Sequence, residues 1–287
     1  MDWVALLRQL IVGISSGMIT FLGAAGVSLV VSGMSLMNFA QGAFMLLGAY
    51  VCYTITRVMG FWWALLIAPL VVAIVGGIVE LLMRPLYKKN MLFQLILTMG
   101  IAFVMADGIQ LIWGTLVKTV TAPVFISRTF SLLGTPFPTY YVLIIVIACL
   151  FAIGMWLVFE KTKLGMIFRA IISDREMVGS LGINVNKLYS IMFMVGVWMS
   201  GLAGVLIAPI IGISSQKSFG ILFSIMTVIV IGGITSMRGV LYAALIVGVA
   251  NALGSLYLPW FYTLIPGLLM VIVLILRPEG LFVRSED

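Results

Sequence analysis

The chain has 287 residues, of which 63% are hydrophobic and only 9% are charged, and its formal net charge is +7. Soluble domains contain roughly 25% charged residues, so this composition excludes a water-soluble protein and predicts that lipid surrounds most side chains. The basic residues are dispersed among apolar stretches, which excludes a nucleic-acid-binding surface. Histidine is absent and both cysteines lie within apolar runs, so we predict neither a metal site nor a structural disulfide.

The apolar segments predict an all-α integral membrane protein with eight or nine transmembrane helices in a single transmembrane domain, 1–287. A helix needs about 20 mostly apolar residues to cross a bilayer. The predicted segments lie near 10–31, 42–58, 61–83, 92–114, 141–159, 191–213, 221–236, 239–257 and 263–277. Pro123, Pro136 and Pro138 predict that the loop 115–140 is not helical.

The uncharged stretch 32–41 predicts a broken or re-entrant segment in the N-terminal half. It contains Asn38 and Gln41, and an interruption at membrane depth must be buried in protein or line a cavity. A second interruption at 232–239 lies in the other half of the chain. Paired interruptions indicate a pseudo-repeat with a site between them, and two ordinary turns are the alternative.

Charged residues within the predicted spans are functional candidates, because charge is costly in a membrane. Asp107 lies about two-thirds along the segment 92–114. It is either a polar contact on a permeation route or a carboxylate bonded to a neighbouring helix. Glu80 precedes Arg84 by four residues, which predicts a structural ion pair.

The loop 160–190 is the largest predicted excursion on the basic side. Ser173 and Glu176 fit a capping box, with serine at the helix start and glutamate three residues on. Met177, Val178 and Leu181 would share one face, and Gly182 would end the helix. The pattern predicts a short helix over 174–181, whose apolar face packs on the protein itself or docks into a partner.

Lysine and arginine predict the orientation, because cytoplasmic loops are enriched in both. The cluster after the third segment and the loop 160–190 are separated by two helices and can therefore share a side. Carrying this alternation along the chain places 11 basic residues and the C-terminus inside. The 5 basic residues placed outside are Arg8, Arg57, Lys118, Arg128 and Lys217. A re-entrant element near the N-terminus leaves the side of that terminus open.

Catalytic chemistry has no sequence support. The chain contains neither a phosphate-binding glycine-rich motif nor a serine–histidine pair. We therefore predict that it is not an enzyme, that it needs no cofactor, and that any ATP hydrolysis takes place on another chain.

Short motifs in order along nearly the whole chain resemble those of one family. They are G-V-S-L at 26–29, M-N-F-A-Q-G at 37–42, G-A-Y at 48–50, R-P-L at 84–86, Gly165, R-A at 169–170, D-R-E-M at 174–177, G-I-N at 182–184, G-L-A-G-V-L at 201–206 and R-P-E-G-L-F at 277–282. Together they resemble the LivH-type permease subunits of branched-chain amino acid ABC importers. That family usually has histidine where this chain has Gln41, so a titrating role at this position cannot operate here.

The resemblance implies ATP-driven import of branched-chain or other hydrophobic amino acids across a bacterial inner membrane. The implied partners are a second, LivM-type permease subunit, two cytoplasmic ATP-binding subunits and an extracytoplasmic substrate-binding protein. The two permease subunits would lie in the lipid bilayer. On this basis the loop 160–190 is the cytoplasmic coupling loop. The implied ATPase-coupling residues are Arg169, Ser173, Asp174, Glu176, Met177, Leu181 and Gly182. The candidate substrate-pathway residues are Asn38, Gln41, Gly42 and Asp107.

Two alternatives remain at this stage. The same machine could carry urea, short amides or other amino acids, since the binding protein would set much of the specificity. The second alternative is a different class of transport protein, a channel or ion-coupled carrier that needs no ATPase. The sequence also leaves open whether the chain pairs with itself or with a different permease.

Overall fold

A computed structural model describes residues 3–34, 36–87, 90–123, 129–132, 135–278 and 280–282. Arg128 and Glu279, which entered the predictions above, lie outside these ranges. The described residues form eleven α-helices and one short hairpin. The helices are α1 Trp3–Met34, α2 Gln41–Met59, α3 Phe61–Met83, α4 Met91–Trp113, α5 Thr139–Lys161, α6 Lys163–Ser173, α7 Arg175–Ser180, α8 Val185–Ile207, α9 Ser218–Gly232, α10 Met237–Tyr257 and α11 Ile265–Leu276.

Eight helices among the described residues are long and apolar enough to cross a membrane, which confirms the predicted all-α membrane fold. They are α1–α5 and α8–α10, the span at α9 including the turn that precedes it. The ninth predicted segment forms α11, which has only 12 residues. At 1.5 Å per residue α11 is about 18 Å long, less than the roughly 30 Å of a bilayer core.

α8 is the central helix of the bundle. It packs against α1, α2 and α3, while α1 also packs along α10. Phe193 and Met192 on α8 are fully buried, as are Phe44 on α2 and Leu22 on α1. α4 and α5 have mostly exposed surfaces, as expected of helices that face lipid or another subunit.

Glycines allow the closest helix contacts in this core. A Cβ on Gly48 of α2 would lie 2.5 Å from the Gly201 carbonyl oxygen of α8, and one on Gly204 would overlap the Met45 carbonyl oxygen. Small residues let membrane helices approach until their backbones touch. The run 201–206 therefore joins α2 to α8.

The loop after α4 contains the only strands among the described residues. β1 (Thr129–Leu132) pairs antiparallel with β2 (Thr135–Pro138). Lys118 in the same loop forms an isolated bridge with Ile213, which follows α8. The loops after α4 and α8 therefore lie at one end of the bundle, and this end is non-helical as the prolines predict.

The two ends of the bundle separate the charges as the sequence predicts. At one end Arg84 donates to Ser190 at 2.8 Å and Arg238 donates to Glu160 at 2.6 Å. At the other end Arg57 lies 5.6 Å and Lys118 5.9 Å from the centre of the Tyr53 ring. Which end is cytoplasmic stays a prediction.

Candidate functional site

The chain breaks between α1 and α2, and two buried amides hold the break together. Asn38 and Gln41 are both fully buried. The Asn38 Nδ2 donates to Gln41 Oε1 at 3.1 Å, and the Asn38 Oδ1 accepts from the Ala40 amide at 3.0 Å. The second bond satisfies a backbone amide that the interrupted helix leaves unpaired, and the first pairs two buried side-chain amides, as is required where water is excluded.

Gln41 also ties the start of α2 to the middle of α8. Its Nε2 donates to the Gly196 carbonyl at 3.0 Å and to the Ser200 hydroxyl. Ser200 lies 15 residues beyond the start of α8, which corresponds to about 22 Å along the helix. α2 therefore begins deep within the bundle, and the predicted broken segment is confirmed.

The break contacts the start of α9. A Cβ on Gly42 would lie 2.9 Å from the Leu222 nitrogen and would overlap the Ser218 carbonyl oxygen. α9 has 15 residues, about 22 Å, and reaches spanning length only together with the turn Ser215–Lys217 before it. The two interruptions that contact each other are therefore the one before α2 and the one before α9. The contact is made by the first turns of the two helices.

The predicted pairing of 32–41 with 232–239 concerns a different place in the fold from this junction, and the pseudo-repeat stays a prediction. The hydrogen bonds of Asn38 and Gln41 within the break and to α8, and the contact of Gly42 with α9, leave 232–239 out of this junction. The two stretches meet elsewhere: Ser32 lines one cavity together with Thr235 and Ser236, the central residues of 232–239, and the Ser28 hydroxyl donates to the Ile234 carbonyl at 2.9 Å. Sequence reasoning missed the interruption before α9 because 208–217 lacks the paired glycines of 232–239.

Asp107 lies on a different surface from the buried amides. It is exposed on the outer face of α4 and has no hydrogen-bond or ion-pair partner among the described residues. One turn earlier, the ring of Phe103 packs 5.1 Å from the ring of Phe219, which directly follows Ser218. Asp107 is therefore one turn from the α4–α9 contact, and the alternative of a carboxylate bonded to a neighbouring helix is not observed in this chain.

The predicted ion pair between Glu80 and Arg84 is confirmed and belongs to a larger network. The Arg84 Nε lies 3.0 Å from Glu80 Oε1, and the Tyr87 hydroxyl donates to the same oxygen at 2.6 Å. Burial, and to a lesser extent the hydrogen bond to Glu80, raises the pKa of Tyr87. The Tyr87 hydroxyl therefore stays protonated and remains a donor. Arg84 also bonds to Ser190, which fastens the end of α3 to α8.

The loop 160–190 holds two short helices rather than one. α6 begins after Thr162, whose hydroxyl accepts from the Gly165 amide at 3.2 Å. The guanidinium of Arg169 donates to the Phe159 carbonyl and so fixes α6 to the end of α5. Sequence reasoning missed α6, although the threonine before the apolar run 167–172 is an ordinary helix-start signal.

α7 replaces the helix predicted over 174–181, and its N-cap differs from the prediction. Asp174 accepts from the Met177 amide at 3.0 Å, while Ser173 is the last residue of α6. Asp174 has the extended backbone that an N-cap requires, with φ −149°, whereas Ser173 is helical. Glu176 is exposed and does not form the return bond of a capping box with described residues.

The apolar residues of α7 point in two directions. Val178 is buried at 3% exposure, whereas Met177 is 63% and Leu181 70% exposed. Gly182 has φ +78°, a conformation that glycine adopts readily and that ends α7 here. The predicted single face is therefore wrong: one residue anchors α7 to the protein and two remain available to a partner.

Apolar helices packed around a central span, with a helix break buried between them, are typical of multi-pass membrane proteins of the transporter class. The chain belongs to the family described as "Branched-chain amino acid transport system / permease component", whose profile matches residues 9–274. This match confirms the resemblance found in the sequence motifs.

Individual relatives match over almost the whole chain. Identity is 28% with the high-affinity branched-chain amino acid transport system permease protein BraD of Pseudomonas aeruginosa, over 98% of this chain and 96% of that protein. It is 29% with the corresponding permease protein LivH of Escherichia coli K12, with the same coverage. The solved structure of PsaBC from Streptococcus pneumoniae in complex with Fab covers 100% of this chain and 96% of that chain, with a TM-score of 0.55 and 15% identity, and shows the fold alone.

Proposed function

We propose that this chain is one permease subunit of an ATP-driven importer of branched-chain or other hydrophobic amino acids, with ATP hydrolysis on separate subunits. The observation that carries the proposal is the pair of exposed apolar side chains of Met177, on α7, and Leu181, directly after it. They lie in a water-facing loop of a chain that belongs to a permease family. Apolar side chains presented on a short helix are suited to a groove on a partner.

The partner we propose at this end is a pair of cytoplasmic ATP-binding subunits. The end that carries α7, Arg84 and Arg238 is the cytoplasmic one, in accordance with the excess of basic residues. The C-terminus then lies inside as well. Asp174 caps α7, Gly182 ends it, and the exposed Glu176 faces the partner. Arg169 connects α6 to the end of α5, so movement of the ATPases is transmitted to a membrane-spanning helix.

The substrate route runs along the exposed surface of α4, between this chain and a second, LivM-type permease subunit. An ionised carboxylate facing lipid costs about 2.5–3.5 kcal/mol on insertion scales. Asp107 is exposed in the isolated chain and therefore needs water, a substrate or a partner subunit in front of it. A carboxylate there is complementary to the ammonium group of an amino acid.

The buried break between α1 and α2 controls this route through the helices that contact it. Asn38 and Gln41 fix the start of α2 to α8, and Gly42 presses on the start of α9. Phe219 on α9 contacts Phe103 on α4. A shift of α2 is thereby passed to the α4 surface. An extracytoplasmic binding protein would deliver the substrate at the end that carries Tyr53 and the hairpin β1–β2.

Copurification tests the role of α7. We expect Met177→Ser combined with Leu181→Ser to abolish recovery of the ATP-binding subunits with this chain, because both replaced side chains are exposed and face the partner. The control is Leu116→Ser, which removes a side chain of similar exposure, 74%, at the opposite end.

The thermal stability of the chain should be the same in all three proteins, since none of the replaced side chains is buried. Full recovery of the ATPases with the double variant would contradict the proposed coupling. Uptake that needs no ATPase but collapses with an ionophore would favour the carrier alternative instead.

A further inference from the structure

A cavity of about 540 Å³ lies between α1, α5, α6 and the start of α10. Its wall is largely apolar and includes Phe21, Leu29, Phe159 and Leu241. The opening lies along α5, where the lining residues Ile153 and Trp156 are 54% and 44% exposed. The cavity therefore opens on the exposed face of α5 and has no lining residue on α4, the surface proposed for the substrate.

Charged side chains line the cavity at the end that carries α6 and α7. Arg169 and Arg238 contribute two guanidinium groups, and Glu160 contributes one carboxylate. Arg238 pairs with Glu160 at 2.6 Å, with side-chain exposures of 72% and 43%. An exposed ion pair of this kind contributes little to stability. Arg238 can therefore exchange the Glu160 carboxylate for another anion. The rim is therefore net cationic beside an apolar groove.

We propose that this cavity binds an anionic phospholipid, with an acyl chain against the apolar wall and the phosphate at Arg238 and Arg169. Guanidinium groups match the geometry of phosphate oxygens, and basic pockets between membrane helices bind anionic headgroups. Which leaflet supplies the lipid rests on the proposed orientation. A free amino acid fits less well, because it is a zwitterion with no net charge to match the net cationic rim, and its side chain would fill little of the 540 Å³ groove.

Native mass spectrometry of the full chain in a neutral detergent tests this site, with phosphatidylglycerol, phosphatidylcholine and inorganic phosphate titrated separately. We expect one phosphatidylglycerol to bind saturably and phosphatidylcholine to bind at least fivefold more weakly. Arg238→Gln should weaken phosphatidylglycerol binding by roughly five- to tenfold, because a charge-assisted bond is lost. The matched control is Arg57→Gln, which removes the same charge at the opposite end and should change binding less than twofold.

A second variant keeps the charges and fills the groove. Ala152 lines the cavity on α5, so Ala152→Phe should reduce phosphatidylglycerol binding as strongly as Arg238→Gln does. Equal binding of the two lipids, equal effects of the two arginine variants, or an unchanged affinity in Ala152→Phe would overturn the proposal. So would complete displacement of the lipid by inorganic phosphate, or by assembly with a second permease chain.

Discussion

At the scale of single residues, Gln41 is the side chain on which the interrupted helix most depends. It accepts from Asn38 and donates to α8, so one amide joins three parts of the chain. The motif predicted that 38–42 matters, but it could not give the partners of Gln41, because Gly196 and Ser200 are distant in sequence. Only the fold brings them to the break.

Replacing Gln41 with leucine should impair both stability and transport. Leucine fills a similar volume but removes the partner that Gln41 gives to the buried Asn38 Nδ2 and Ser200 hydroxyl, which costs about 1–3 kcal/mol for each group. We expect a lower melting temperature and slower amino-acid uptake, while the ATP-binding subunits still copurify. Gln216→Leu, at an exposed position before α9, is the control. Uptake at the normal rate in Gln41→Leu would remove the break from the translocation mechanism.

Asp107 should behave in the opposite way, because its side chain is exposed and supports no other group. Asp107→Asn keeps the shape but loses the charge, so we expect unchanged thermal stability and a KM for amino-acid uptake raised roughly tenfold, the effect of about 1.4 kcal/mol. Initial rates of uptake at a series of substrate concentrations measure this. An unaltered KM would show that Asp107 contacts the neighbouring subunit rather than the substrate.

At the scale of helices, hydrophobic segments were predictable and their junctions were not. The predicted segments correspond to eight spans and α11, yet α1 extends from Trp3 to Met34 rather than over 10–31. Its extra turns are stabilised by packing on α10, where Gln9 bonds to Ser255 at 2.6 Å. Local composition carries no information on such contacts. The same holds for Gly42 and Ser218, which meet only after α2 and α9 are placed.

The cap of α7 shows how closely two local signals can compete. Ser173 and Asp174 are both good N-cap residues, and the structure selects Asp174 because α6 continues through Ser173. Asp174→Ala should therefore destabilise α7 by about 1 kcal/mol and reduce stimulation of the ATPase by substrate. Ser173→Ala is the matched control and should have little effect. ATPase rates of the reconstituted complex measure both, and a larger defect in Ser173→Ala would reverse the assignment of the cap.

At the scale of the whole molecule, the two ends of the bundle have different roles. One end carries the ion pairs of Arg84 and Arg238 together with α7, and the other carries Tyr53 and the hairpin β1–β2. Charge counting along the sequence predicted this separation, because each crossing reverses the side of the next loop. The surface that faces another permease could not be predicted, since lipid tails are as apolar as leucine and a large apolar side chain is therefore stable against lipid as well as against protein.

The most direct measurement is the uptake of radiolabelled leucine into proteoliposomes that contain this chain, its partner permease, the ATP-binding subunits and the binding protein. The account predicts uptake that requires ATP on the side of α7 and that Met177→Ser with Leu181→Ser abolishes. Leucine uptake by the permeases alone, driven by an ion gradient and indifferent to ATP, would contradict it.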